Sequence, residues 1–135
     1  MIRLSKSVVV SLLATCMTLA SCAPKIDSDA YLQHEAGDIQ LRTLPPGSRL
    51  VNQRPLTLQG LGASADWELE CAYSPDEYRS WVTSRLRPDF QVHETHNSQL
   101  RLSKDVHGDV ETLSLELVSS TGTLHVVVKL EIYPD

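Results

Sequence analysis

Histidine and acidic side chains are the groups in this chain best suited to binding a metal. The stretch HETH places His93 and His96 three residues apart, with Glu94 between them. On a helix this spacing would put both imidazoles on one face, but here it runs into a hairpin turn. His107 falls in the next turn, at the opposite end of the sheet, and His125 lies three strands from His93, about 14 Å at ordinary strand spacing. The topology therefore predicts no metal site among these histidines.

A second polar cluster surrounds Gly108 in the stretch DVHGDVE. Its carboxylates and imidazole would bind a cation only loosely, because they fall short of the ligand set of a calcium loop. We prefer a charged hairpin turn as the interpretation of its four residues, Asp105, His107, Asp109 and Glu111.

Cys71 is the candidate for a nucleophile. The alternation of side chains places it with Trp67 and Leu69 on an apolar strand face, where a thiol is inert. The chain has no G-x-S-x-G elbow, and GLGAS is a lone G-x-G with no helix after it. We therefore expect a protein that is not an enzyme, with no catalytic residues, no metal and no cofactor.

The first 21 residues have the pattern of a secretory signal peptide. Arg3 and Lys6 supply positive charge, and an apolar run follows from Val8 to Ala20. This run is shorter than the roughly 20 apolar residues that cross a bilayer. We expect residues 1–21 to be removed from the mature protein.

The apolar run ends in Leu19-Ala20-Ser21-Cys22, which resembles the lipobox of bacterial lipoproteins. The resemblance implies cleavage before Cys22, diacylation of its thiol and, usually, acylation of the new amine. Two or three acyl chains anchor a protein stably, at roughly 0.8 kcal/mol per buried methylene, whereas one does so only marginally. The alternative is an ordinary cleaved signal with a chance cysteine. Ala23 stands where an aspartate tends to retain enteric lipoproteins at the inner membrane, so the resemblance favours an outer-membrane anchor that faces the periplasm.

The mature chain, residues 22–135, is acidic. It carries 10 Lys and Arg against 17 Asp and Glu, a side-chain charge of −7. We therefore expect no nucleic-acid partner and no electrostatic attraction to anionic lipid. Cys16 leaves with the signal peptide and Cys22 carries lipid, so Cys71 is the remaining thiol and no intrachain disulfide is expected. A chain of this length forms one domain, whose core needs no disulfide.

The mature chain divides into two segments by composition. Residues 22–47 are expected to hold the lipidated cysteine and a flexible tether, because the stretch is polar and acidic and ends in Pro45-Pro46-Gly47. An edge strand from Ile39 to Leu44 is the alternative. Residues 48–135 are expected to form a small α+β domain.

Periodicity predicts the elements of this domain. Pro55 marks RLVNQRPLTL as an edge or entry strand, and alternation in DWELECAY predicts a strand with one apolar face. SPDEYRSWVTSRLRP predicts a helix in which Ser74 is the N-cap, Glu77 completes a capping box and Pro88 ends the helix. Four alternating stretches with hairpin turns follow: FQVHET, LRLS, VETLSLELV and TLHVVVKLEIY. We predict an α+β fold, β-α-β-β-β-β, with a mainly antiparallel sheet of about five strands and one helix packed on its apolar face.

The outward positions of this sheet are polar and mixed in sign, which is typical of a solvated face. They are Gln91, His93, Arg101, Ser103, Thr112, Ser114, Glu116, His125, Lys129 and Glu131, with Val118 and Val127 as apolar exceptions.

An anchor, a tether and a compact domain without a catalytic set favour a non-enzymatic lipoprotein that binds another protein in the periplasm. It would be an accessory subunit of an envelope assembly, or an inhibitor of an envelope-active toxin or hydrolase. The final strand, Thr123 to Tyr133, or the edge near Pro55 is expected to accept a strand of the partner. The alternative is a small-ligand binder that holds lipid or glycan between helix and sheet, under Trp67, Tyr78 and Trp81.

Overall fold

The described part of the chain contains an antiparallel sheet of six strands. The structure, a computed structural model, describes residues 30–134 apart from 97 and 107, and only the backbone of residues 59, 94 and 95. Helix α1 covers residues 30–43, and residues from 36 onward belong to one compact unit. The elements that follow are β1 Arg49–Gln59, β2 Gly62–Cys71, α2 Pro75–Leu86, β3 Gln91–His96, β4 Gln99–Val106, β5 Asp109–Ser120 and β6 Thr123–Pro134.

The strand order is β1-β2-β6-β5-β4-β3, and every neighbouring pair is antiparallel. The α+β class is confirmed, but the sheet has six strands rather than about five, and the described residues form two helices rather than one. β1 is the edge strand that Pro55 predicted. Its register against β2 shifts between Leu50 and Asn52 and again between Arg54 and Thr57. The second shift spans Pro55, which lacks a donor for the ladder.

β6 lies in the middle of the sheet, between β2 and β5. The expectation that this final strand offers an edge is therefore wrong. The inward side chains of β6, among them Leu124, Val126 and Val128, are completely buried. Both edges of β6 are paired, one with β2 and the other with β5. The edges of the sheet are β1 and β3.

α2 begins where its capping residues predicted. Glu77 N donates to Ser74 Oγ at 3.1 Å, and Ser74 N donates to Glu77 Oε1 at 3.4 Å. The side chains of Tyr78, Val82 and Leu86 are completely buried and place one side of the helix against the sheet. The helix ends at Leu86, shortly before Pro88, as predicted.

α1 is the helix that the prediction missed, and it replaces the alternative of an edge strand from Ile39 to Leu44. Its buried residues Ala36, Ile39 and Thr43 recur at spacings of three and four, as expected for one helical face. The helix ends at Thr43 because Leu44 precedes Pro45, which disfavours helical backbone at the residue before it. An apolar face with one large side chain is too weak a pattern to predict from sequence.

The division into residues 1–21, 22–47 and 48–135 stays a prediction. The signal peptide and Cys22 lie outside the described residues, as does His107. Within the described part of the chain, no helix is long and apolar enough to cross a membrane.

Thr43 joins α1 to the core by two buried hydrogen bonds. Trp67 Nε1 donates to Thr43 Oγ1 at 2.8 Å, and the Tyr78 hydroxyl donates to the Thr43 carbonyl oxygen at 2.7 Å. Burial raises the pKa of Tyr78, so the phenol remains protonated and remains a donor. Thr43 of α1 thus accepts hydrogen bonds from Trp67 of β2 and from Tyr78 of α2.

We expect Thr43→Val to lower the free energy of unfolding by about 1–3 kcal/mol, because it leaves the buried Trp67 indole N–H without an acceptor. Thr43→Ser keeps the oxygen and is expected to lose less. Urea unfolding followed by tryptophan fluorescence measures both variants. Equal stability of the valine and serine variants would show that the indole hydrogen bond contributes nothing.

Candidate functional site

The two faces of the sheet differ in what covers them. The inner face packs under the helices and carries the core, which includes the completely buried Leu69, Leu102, Leu113 and Leu130. The side chains that point the other way form what we call the outer face. Within residues 36–134, leaving 97 and 107 aside, no helix or strand covers the outer face.

The register of the sheet aligns the outer face into rows. One row runs across four strands through Arg101, Ser114, Lys129 and Asp66. The predicted outward positions that the structure describes are half-buried or exposed, so the polar outer face is confirmed. Val118 is 47% exposed, and Val127 is half-buried beside the charged rows.

Two shallow depressions lie next to one another on the outer face. The first has a volume of about 340 Å³, and Arg101, Lys129, Glu116 and Val127 are among the residues that line it. The second has a volume of about 250 Å³, and its lining residues are His93, Arg101, Ser103, Val110 and Thr112. Arg101 belongs to both depressions and therefore marks the middle of this surface.

Arg101 and Glu116 are charged groups that the fold leaves available. Both side chains are exposed, and neither forms an ion pair or hydrogen bond with another side chain in the described part of the chain. Lys129 Nζ is 3.9 Å from Glu131 Oε1, a weak exposed pair. This surface presents both charge signs together with the Ser114 hydroxyl.

The other half of the outer face is internally paired. His125 Nε2 lies 3.4 Å from Glu68 Oε2, and His125 Nδ1 lies 3.7 Å from Glu70 Oε1. Arg49 Nη2 donates to Glu70 Oε2 at 2.7 Å, and this hydrogen bond holds the pKa of Glu70 below its usual value. The Arg49–Glu70 ion pair thus lies on this half of the outer face, whereas Arg101 and Glu116 have no side-chain partner among the described side chains.

The structure keeps the candidate metal ligands apart. His93 is on β3 and His125 is on β6, with β4 and β5 between them. His93 Nε2 and Ser103 Oγ share a hydrogen bond. Among the described residues, no group of three or more His, Cys, Asp or Glu side chains is placed to hold a metal ion.

Glu111 does not belong to a polar turn, because its side chain points to the inner face and is 2% exposed. It pairs across the strands with Lys104, whose Nζ lies 3.8 Å from Glu111 Oε2. Lys104 Nζ also lies 4.9 Å from the centre of the Phe90 ring. The sequence carried a signal for this pair, because Glu111 precedes Leu113 by two residues and Lys104 follows Leu102 by two, so both continue an inward face.

The space predicted for a small ligand is used by the fold. Trp67 and Tyr78 are 2% and 0% exposed, and their polar atoms bond to Thr43. Trp81 is half-buried, stands edge-on to Tyr73 with 6.4 Å between ring centres, and lies under the Arg85 guanidinium. The indole N–H and the phenol O–H both already donate within the fold, so neither is a free donor for a lipid or glycan between helix and sheet.

Cys71 is a buried free thiol, and burial raises its pKa. We expect no alkylation of Cys71 by iodoacetamide in the folded mature chain at neutral pH, because both access and thiolate formation are suppressed. In urea, one thiol per mature chain is expected to react if Cys22 carries lipid. Two reactive thiols, counted by mass spectrometry, would show that the Cys22 thiol is free.

Distant neighbours among the solved structures include two proteins. CalU16 from Micromonospora echinospora matches with a TM-score of 0.45 and 12% identity, over 66% of this chain and 73% of that one. LpqN, described as involved in cell envelope biogenesis of Mycobacterium tuberculosis, matches with a TM-score of 0.40 and 15% identity, over 68% of this chain and 69% of that one. No family model and no curated protein matches the sequence. Both TM-scores are below 0.5, so neither neighbour assigns a function to this chain.

Proposed function

We propose that this chain is a lipid-anchored, non-enzymatic protein-interaction module in the periplasm, attached through Cys22 to the outer membrane. It serves as an accessory subunit of an envelope assembly, or as an inhibitor of an envelope-active toxin or hydrolase. The anchor rests on the signal-peptide pattern and the lipobox resemblance. The interaction role rests on the outer face.

The observation that carries the interaction role is the position of Arg101 and Glu116, two exposed charges on the outer face with no ion pair or hydrogen bond to a described side chain. On the other half of the outer face, Arg49 pairs with Glu70. Arg101 and Glu116 instead flank depressions with a combined volume near that of a small binding site. Arginine is enriched among the residues that dominate binding energy at protein interfaces.

The outer face suits a protein partner better than a small apolar ligand. Its depressions are shallow and open, and charged and hydroxyl groups line them together with Val110 and Val127, whereas small-molecule pockets are enclosed. A rim of polar groups around a few apolar atoms is the usual anatomy of a transient protein interface.

The experiment is capture of the lipidated chain from mildly solubilised envelopes after brief crosslinking in the native organism. Arg101→Gln is compared with Arg85→Gln, an identical change on the helix side of the sheet. We expect one dominant partner, recovered with the wild type and Arg85→Gln, and at least about tenfold less with Arg101→Gln. Equal recovery with a folded Arg101→Gln chain would exclude the outer face as the interaction surface.

A further inference from the structure

A groove runs between α2 and the edge strand β3, on the helix side of the sheet. Its volume is about 380 Å³, and it is lined by Arg79, Ser80, Thr83, Ser84 and Arg87 of α2 and by Val92 of β3. None of these residues belongs to the two depressions of the outer face. The groove is therefore a second surface, distinct from the one that carries the proposed function.

β3 is the last strand of the sheet on this side, so one of its long edges has no strand neighbour in the described part of the chain. An open strand edge is a template for another extended segment. The end of this edge is occupied, because Arg79 Nη2 donates to the His96 carbonyl oxygen at 2.8 Å. The part of β3 before His96 remains for pairing.

Two polar groups in the groove lack partners within the described residues. Thr83 Oγ1 is buried and has no hydrogen-bond partner there, a costly state for a hydroxyl group. The exposed Arg87 guanidinium likewise makes no ion pair or side-chain hydrogen bond with a described residue. Arg79 is bound to Asp76 at 3.1 Å and to the His96 carbonyl oxygen at 2.8 Å. Because the Asp76 side chain is 93% exposed, an acidic side chain of a partner can exchange with it at little cost.

The spacing of these groups matches an extended chain. Arg79, Thr83 and Arg87 are four residues apart, which is a rise of about 6 Å per step along a helix. Alternate residues of a β-strand lie about 6.6 Å apart and point to the same face. An extended segment in the groove can therefore place three successive same-face side chains against the three helix residues.

We propose that this groove binds an extended segment of a partner protein by strand addition to β3. The segment has an acidic residue, a serine, threonine, asparagine or glutamine two residues later, and a second acidic residue two residues after that. The two acids meet Arg79 and Arg87, and the central polar side chain bonds to Thr83 Oγ1. A single phosphate would meet one arginine only, since the two are eight residues apart, about 12 Å along the helix.

The probe is a labelled peptide, acetyl-Val-Glu-Val-Thr-Val-Glu-Val-amide, titrated with the full chain in mild detergent and followed by fluorescence anisotropy. We expect saturable binding, and none for the same peptide with lysine in place of glutamate. Methylation of backbone nitrogens tests strand pairing, because alternate N–H groups point to opposite sides of a strand. Methylating one alternate set is expected to abolish binding, and methylating the other set to preserve it.

Three variants of the chain separate docking from folding. Arg87→Gln is expected to weaken peptide binding by at least about tenfold, and Arg85→Gln, which changes a neighbouring arginine outside the groove, to leave it unchanged. Thr83→Val is expected to weaken binding while the melting temperature stays the same or rises, because it removes an unsatisfied buried hydroxyl.

Several results would overturn the proposal: no binding of the glutamate peptide, equal binding of the lysine peptide, equal effects of the two methylated sets, or no effect of Arg87→Gln. Binding of inorganic phosphate through Arg87, without binding of the peptide, would also overturn the proposal, and the groove would then be a site for a single anion. Because the outer face is unchanged in these variants, each outcome is independent of capture through Arg101.

Discussion

Cys22→Ser is expected to abolish fatty-acid acylation of the chain completely. The serine hydroxyl cannot replace the thiol as the site of diacylation. Two acyl chains bury enough methylenes, at roughly 0.8 kcal/mol each, to make attachment effectively stable. Fractionation of envelopes and metabolic labelling with an alkyne fatty acid measure the effect.

Cys71→Ser is the matched control, because it removes the buried thiol of the folded domain and leaves Cys22 unchanged. That variant is expected to remain in the membrane fraction and to incorporate the labelled fatty acid. If Cys22→Ser still sedimented with membranes and carried label, the lipobox interpretation would be wrong, and the ordinary cleaved signal would take its place.

Lys104→Met is expected to lower the free energy of unfolding by about 3–5 kcal/mol at neutral pH. The substitution removes the cation that lies 3.8 Å from Glu111, whose side chain is 2% exposed. Removing one partner of a buried pair leaves a charge in a low-dielectric interior, and that penalty is larger than the net contribution of the pair itself. Urea unfolding followed by circular dichroism gives the value.

The double variant Lys104→Met with Glu111→Leu distinguishes a buried charge from lost packing. It removes both charges, so we expect it to be more stable than Lys104→Met alone. A single variant as stable as the wild type would mean that solvent or the other contacts of Glu111 compensate its carboxylate. A double variant no better than the single one would attribute the loss to the packing of the Lys104 side chain beside Phe90.

Elements with a strong local pattern could be predicted from the sequence. α2 was predicted because Ser74 and Glu77 form a capping box and Pro88 follows its end. The antiparallel hairpins were predicted because stretches of alternating apolar and polar residues are separated by short polar turns. β1 was predicted as an edge because a central strand does not tolerate Pro55.

Features that depend on distant contacts could not be predicted in this way. α1 has few large apolar residues. It is held by hydrogen bonds to Thr43 from Trp67 and Tyr78, which lie far from α1 in the sequence. The central place of β6 depends on pairing with β2, which strand alternation does not encode. Glu111 lies two residues before Leu113 on the same strand. Extending the alternation of side chains by one period would have placed Glu111 on the inner face.

The candidate site was predicted in part. The polarity of the outer face follows from alternation, so its residues were identified. The prediction did not identify Arg101 as the centre of the surface, because that depends on which outward charges pair across strands. The groove beside β3 depends on how α2 lies along an edge, which no sequence period indicates.

The most direct test of the account is site-specific photocrosslinking in the native organism. A photoreactive phenylalanine analogue replaces Ser114, the residue between Arg101 and Lys129 on the outer face. In a second strain it replaces Leu41, which is 68% exposed on α1. We predict a discrete crosslinked product from position 114 and none from position 41. A lipidated, folded chain that gave no product at position 114 would contradict the proposal that the outer face binds a protein partner.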